Sequence, residues 1–207
     1  SRVITGAVRA EGAGAAVRIW NSLVSIQADG TLEARYDKHQ LVPFGEFVPL
    51  RTLLPLEKIT PGDLDYSRGD GPHTVQIAGI PPFSPLVCYE AIFPWMAAAS
   101  DIRPEWLLSV TNDAWYGDSP GPYQHFEMAR MRAIEQGVPL VRVANNGITA
   151  LTDGRGVVLA ALSLNQRAVL DVHLPLPLEQ TFYARHGDLP LVCALILLCL
   201  LFNFRLK

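Results

Sequence analysis

Apolar and polar residues alternate from Asn21 to Gln27, and after Ala28-Asp29-Gly30-Thr31 a second run returns from Leu32 to Tyr36. A period of two broken by turn chemistry predicts a β-hairpin. Arg2-Val3-Ile4-Thr5-Gly6 reads as an earlier strand, entered in mid-domain. Leu41 to Leu56 is apolar but punctuated by proline, which predicts a structured loop with one short helix. His73 to Ile80 and Leu86 to Cys88 read as strands, Phe93 to Ser100 as a helix and Trp106 to Val110 as a strand. Tyr123 to Gln136 has helical spacing, with Phe126, Ala129, Ala133 and Arg130 on the inward face. Leu140 to Ala144 is a further strand. Ile148 to Leu151 and Val157 to Ala161 flank Asp153-Gly154-Arg155-Gly156 as a second hairpin, and Ala168 to Leu174 closes the set. Strands outnumber helices, and the two clear helices lie between strands. The pattern predicts a mixed α/β class with a two-layer sheet core and helices outside.

The pattern changes at the C-terminus. Leu189 to Phe202 holds no charged residue, and Arg205 and Lys207 follow. The run is shorter than the roughly 20 apolar residues that cross a bilayer. A buried core helix is the plainer reading, but a leucine-rich stretch closed by two cations fits a membrane span better. Cations after the span would put the C-terminus in the cytoplasm and the globular part across the membrane; Arg185 on the other flank weakens that orientation. The chain thus divides into a catalytic domain at 1–184 and a membrane helix with a short basic end at 185–207. Ser1 opens no signal or targeting segment, so the chain reads as the back portion of a longer protein.

Composition removes some alternatives. Of 207 residues 49% are hydrophobic and 18% charged, with net charge −3, too few cations for a nucleic-acid surface. The 16 prolines and 16 glycines are spread among apolar runs and so mark loops, not disorder. Cys193 and Cys199 lie in the tail, leaving Cys88 without a disulfide partner in the globular part.

Cys88 ends the apolar run Pro85-Leu86-Val87 and precedes Tyr89-Glu90. A thiol where a strand gives way to a turn can project into a cleft, although most free cysteines are small buried hydrophobes. A nucleophilic thiol needs a base or a nearby cation. Lys38 could lower the thiol pKa and, with the backbone N–H of Tyr89, stabilise an oxyanion. Glu46 lies inside the apolar stretch Leu41 to Leu50, where an unpaired charge would be costly, so a partner is implied and Lys38 suits. Lys38, Glu46, Cys88 and Glu90 are therefore the catalytic candidates.

Other chemistries are weaker. Gly117-Asp118-Ser119-Pro120-Gly121 matches the G-x-S-x-G nucleophile elbow, but Pro120 has no N–H to give an oxyanion hole, so the segment reads as a turn. His39, His73, His125, His173 and His186 show no metal-ligand spacing. His125 would be the best partner in a Cys–His pair, but no cysteine-protease signature surrounds Cys88.

Several segments resemble the nitrilase superfamily. Tyr36-Asp37-Lys38 through Glu46 is similar to its lysine block, and Leu86-Val87-Cys88-Tyr89-Glu90 to its cysteine block. Ser109 to Gly117 and Gln124-His125-Phe126 to Arg132 are similar to its next two segments. Val42 to Leu50, Asn112-Asp113-Ala114-Trp115, Asn145-Asn146-Gly147-Ile148-Thr149 and the final apolar run resemble its membrane branch, the apolipoprotein N-acyltransferase family. That resemblance implies an αββα sandwich, incomplete here on its N-terminal side, on the periplasmic face of the bacterial inner membrane. It implies a phospholipid as acyl donor, a thioester on Cys88, and transfer to the amino group of a diacylglyceryl-cysteine on an apolipoprotein, without cofactor or metal. By motif, Lys38 is the oxyanion and orientation partner, Glu46 and Glu90 are supporting glutamates, and Tyr89 lies at the substrate site. The apolar loops around Phe47 to Leu56 and Ile92 to Met96, with Trp115, suit a lipid substrate. The family's general-base glutamate belongs to a segment expected upstream of Ser1; Glu11, in a Gly/Ala-rich setting, reads as loop. Alternatives are an amidase acting on a small amide and a membrane-anchored binding domain without catalysis.

Overall fold

The alternation that predicts the first hairpin builds a larger antiparallel unit. In the computed structural model, which describes residues 1–50, 58–59, 64–98 and 102–205, β1 (Arg2–Glu11) pairs along its whole length with β2 (Arg18–Gln27). β2 then pairs with β3 (Leu32–Asp37), giving a three-stranded sheet. Glu11 is the last residue of a strand, not part of a loop: ladder pairing with Arg18 carries β1 through the small residues beyond Gly6.

The second sheet has six strands in the order β4-β5-β6-β7-β8-β9. They are β4 (Val75–Ile77), β5 (Ile80–Val87), β6 (Trp106–Thr111), β7 (Leu140–Ala144), β8 (Thr149–Thr152) and β9 (Val158–Leu162). β5, β6 and β7 run parallel, and the outer pairs are antiparallel. The expected strand His73 to Ile80 is instead two strands folded over Ala78-Gly79. The expected Leu86–Cys88 strand begins earlier, at Ile80, and ends at Val87. Pro81, Pro82 and Pro85 hide it from sequence reading, since proline cannot donate to a ladder; Pro82 O instead accepts from Glu105 N, and Pro81 O from the Trp106 indole. No strand forms at Ala168 to Leu174. That segment is unpaired, and Leu174 packs on the core by its side chain alone.

Two apolar layers hold these pieces. Leu23 and Tyr36 of the first sheet meet Val75, Phe83, Val87, Trp106 and Leu108 of the second. On the other face of the second sheet, Leu86, Leu107 and Leu140 pack on Ala129 and Ala133 of α2 (Gly121–Gln136) and on Met96 and Ala97 of α1 (Pro94–Ala97). The described layers are therefore sheet, sheet and helix. Gly137 caps α2 in the left-handed region (φ 66), returning its N–H to Ala133 and Ile134. Phe126, Ala129 and Ala133 face inward as the spacing predicts, but Arg130 does not. It pairs with Glu127 and the Gly156 carbonyl, while Arg132 takes the inner position and donates to Ile92 O.

α1 spans only four residues, and Ser100 of the expected helix lies outside the described residues. No helix occurs between Leu41 and Leu50, and the remainder of that loop, 51–57, is also outside them. At the C-terminus α3 (Phe182–His186) leads to α4 (Leu189–Arg205). Every residue from Leu191 to Phe202 is exposed. Among the described residues no helix is long and apolar enough to cross a membrane.

Candidate active site

Lys38 follows the last residue of β3, and its N–H donates to Asn21 O on β2. Its side chain is 1% exposed, so its ammonium needs a partner in the interior. Glu46 supplies both oxygens, at 2.9 and 2.7 Å from Nζ. A tight turn makes this possible: Glu46 N donates to Val42 O, and Val42 N donates back to the Glu46 carboxylate at 2.8 Å. Asn21 Nδ2 adds a further donor at 3.0 Å. Phe44 and Leu50 in this loop hold positive φ (61° and 52°), a conformation that costs of order 1–3 kcal/mol outside glycine and so needs surrounding contacts to hold it.

Glu90 joins this loop to the cysteine. It is fully buried in the 3-10 turn Cys88–Ile92. Oε1 accepts from the Tyr36 hydroxyl (2.9 Å), His39 N (2.7 Å) and Gln40 N (3.1 Å), and Oε2 from Val87 N (2.8 Å). Burial pushes this carboxyl above its ordinary range against the pull of those backbone donors and of the Lys38 charge. The Tyr36 phenol is pushed far up by burial and by the Glu90 carboxylate beside it. Cys88 sits between these anchors, half-buried, where β5 ends, and it holds φ 53. A strand-to-turn residue in the left-handed region turns its side chain away from the strand's alternation. The structure thus unites the lysine and cysteine segments through Glu90.

A further cluster was only partly legible in the sequence, which offered His125 but not its partners. His125 of α2, 2% exposed, places Nε2 3.1 Å from the carbonyl of Cys88 and Nδ1 2.9 Å from Asp113 Oδ1. Arg142 of β7, fully buried, donates to Asp113 Oδ2 at 2.7 Å and to Ile148 O. Burial raises the Asp113 carboxyl, but the His125 hydrogen bond and the Arg142 charge outweigh it and hold the group below its ordinary range. Burial lowers Arg142, opposed by Asp113. Gly147 is required here, because a Cβ on it would lie 2.0 Å from Asp113 Oδ2. His125 does not form a Cys–His pair with the thiol: its two nitrogens face Asp113 and the Cys88 carbonyl.

Around this core lie aromatic side chains. The Tyr89 ring meets Phe93 edge-on at 5.0 Å, and Phe93 meets Trp95 at 4.8 Å. Trp115 is 65% exposed, in the 3-10 turn Asp113–Tyr116 that also carries Asp113. The Gly117 to Gly121 segment is the turn before α2, where Ser119 Oγ accepts from Gly121 N. Among the described residues no group of three or more His, Cys, Asp or Glu could hold a metal ion.

The chain is 45% identical over 214 residues to the apolipoprotein N-acyltransferase of Rhodopseudomonas palustris, covering 98% of this chain and 39% of that protein. It is 46% identical over 205 residues to that of Bradyrhizobium diazoefficiens, covering 96% and 38%. The chain thus spans about two fifths of the curated relatives it matches. Among solved structures it resembles a mutant amidase from Nesterenkonia sp. AN1, with acrylamide added at that enzyme's active-site cysteine (TM-score 0.52, 20% identity, 79% of this chain and 59% of that one). A carbon-nitrogen hydrolase from Helicobacter pylori G27 is similar in fold (TM-score 0.53, 19% identity, 78% and 58%). The family model for carbon-nitrogen hydrolases matches residues 2–183, from the first strand to the start of α3, and with the paired sheets and the clasped cysteine this places the chain in the carbon-nitrogen hydrolase family.

Proposed function

We propose that the chain is the cysteine-bearing portion of an apolipoprotein N-acyltransferase. The observation that carries this reading is Cys88 at positive φ on a strand end, clasped by Glu90 to the segment that holds a buried lysine. In this reading the Cys88 thiolate attacks an ester carbonyl of a phospholipid. The acyl–oxygen bond breaks, and the lysophospholipid leaves with a proton. The α-amino group of a diacylglyceryl-cysteine on an apolipoprotein then attacks the thioester. The C–S bond breaks, an amide forms, and the thiol regains its proton.

Lys38 meets both the thiolate and the oxyanion with positive charge, which counts for most where water is excluded. Glu46 is committed to holding that lysine, and Glu90 to the clasp, so neither is free to act as general base. The base is assigned to a glutamate outside residues 1–207. Tyr89, Phe93, Trp95 and Trp115 offer an apolar rim for acyl chains. The finer placement follows from the tail. Residues 185–207 are assigned to the membrane because α4, apolar on all sides and exposed from Leu191 to Phe202, needs lipid or protein cover. Residues 1–184 then work at the periplasmic face of the bacterial inner membrane.

The test is intact-mass measurement of the full-length protein after exposure to phospholipid. A hydroxylamine-labile adduct of fatty-acyl mass on the wild type, missing from Cys88→Ala, is expected. An adduct that persists in Cys88→Ala overturns the assignment, and release of ammonia from small amides without any adduct from phospholipid would favour an amidase.

A further inference from the structure

We propose that His125 is a positioning residue that aims and strengthens the oxyanion donor, an inference that rests on Cys88 being the acylated nucleophile. The carbonyl of Cys88 and the N–H of Tyr89 are the two ends of one planar peptide group. His125 Nε2 lies 3.1 Å from that carbonyl, so its N–H fixes the carbonyl end and thereby the direction of the N–H at the opposite end. The Tyr89 N–H is the backbone donor adjacent to the nucleophile, the place from which an oxyanion donor acts in thiol and serine acyl transfer.

The site is built to hold this peptide against strain. Cys88 at φ 53 would relax to negative φ if released, swinging both the sulfur and the following N–H. Glu90 Oε2 holds the strand end one residue earlier, at Val87 N, and His125 restrains the peptide after Cys88. Asp113 fixes the ring through Nδ1 at 2.9 Å, and Arg142 fixes Asp113 at 2.7 Å. Hydrogen bonds in such a chain polarise one another, so a donor on the carbonyl strengthens the N–H at the far end of the amide. A buried arginine, aspartate and histidine carry a large desolvation cost, and none of the three has a role in the two-step acyl transfer except through this contact.

The experiment uses the full-length protein in detergent with two reagents. A p-nitrophenyl acyl ester acylates Cys88 through an oxyanion, whereas iodoacetamide alkylates the thiol without one. His125→Ala is expected to slow the p-nitrophenol burst by about 10–100-fold, a part of the loss from removing one whole oxyanion donor. Alkylation should stay within about 2-fold, with an unshifted pH profile, because the thiol keeps Lys38. His125→Gln, whose amide nitrogen can donate to the same carbonyl, should recover most of the burst rate. Equal burst rates in wild type and His125→Ala overturn the proposal, and so does a shifted alkylation profile, which would make His125 the thiol's base. Failure of Gln to rescue while both variants melt alike also overturns it. A wild type that acylates from the p-nitrophenyl ester but not from phospholipid overturns the acyltransferase reading and leaves the role of His125 standing.

Discussion

Two buried charge clusters lie on segments joined to the cysteine turn, one through Glu90 and one through His125, and they are built in opposite ways. Lys38 and Glu46 lie eight positions apart on one loop, and that loop turns back to close the pair. Asp113, His125 and Arg142 come from a 3-10 turn, a helix and a strand, and meet only when the six-stranded sheet and α2 pack together. The Glu90 carboxyl, which joins the lysine loop to the cysteine turn, and the Asp113 carboxyl respond to burial with opposite outcomes. Glu90, clasping the lysine loop, is pushed up because burial outweighs its donors, whereas Asp113 is held down because two partners outweigh burial. On the proposals above, the local cluster supplies charge and the long-range cluster geometry.

The sharpest break of this comparison is Lys38→Met. Thioester formation should fall by about 10²–10³, the scale of a lost oxyanion stabiliser, and single-turnover acylation would show it. Because Lys38 is 1% exposed, the same change leaves Glu46 buried without its cation and should cost about 3–5 kcal/mol in urea unfolding. Lys38→Met with Glu46→Gln should recover much of the stability but none of the acylation. Recovery of both would show the pair to be structural only.

Gly147→Ala tests the histidine side without touching a charge. Its Cβ would meet Asp113 Oδ2 at 2.0 Å, so Asp113 must shift. A loss of about 1–3 kcal/mol, the usual cost of overpacking, is expected, together with a slower burst and unchanged alkylation of Cys88. An unchanged burst would uncouple the network from the nucleophile.

The pH dependence of stability separates the two carboxyls by sign. Asp113, lowered in the fold, stabilises above the ordinary aspartate value of about 3.9, and that contribution is lost as pH falls through its lower native value. Glu90, raised in the fold, contributes below about 4.3, and its contribution is lost as pH rises through its native value. Urea midpoints against pH should therefore lose part of the acid limb in Asp113→Asn and flatten on the rising side in Glu90→Gln. The same limb affected in both would merge the clusters. The smallest effect is expected from Arg130→Ala. Its ion pair with Glu127 is surface-exposed, and with the bond to Gly156 O it should contribute no more than about 1 kcal/mol by thermal melting.

What the sequence disclosed follows from how each cluster is made. Lys38 and Glu46 were readable because a carboxylate inside Leu41 to Leu50 demands a nearby cation, and Cys88 because it ends an apolar run. The strand Ile80–Val87 was half hidden, since its prolines read as loop and only the pairing with β4 and β6 shows a ladder around them. His125 was readable only as the best partner for a Cys–His pair, and its contact to a backbone carbonyl leaves no mark in side-chain spacing. Arg142 sits in Leu-Val-Arg-Val-Ala, where alternation gives the face but not the partner. Arg130 and Arg132 were confused because two residues on a helix lie about 200° apart, and spacing alone did not settle which arginine faced the core.

The Glu90 clasp also bears on when the setting of Cys88 is assembled during folding. Its bonds to Tyr36, His39 and Gln40 close chain segments of 54, 51 and 50 residues. Contacts over such separations form late, after the local hairpins, because the entropy of closing the intervening chain must be overcome first. Until then the turn that begins at Cys88 is not docked on the segment that carries Lys38. On the function proposed above, the surroundings that Cys88 needs are completed only with the last contacts to form.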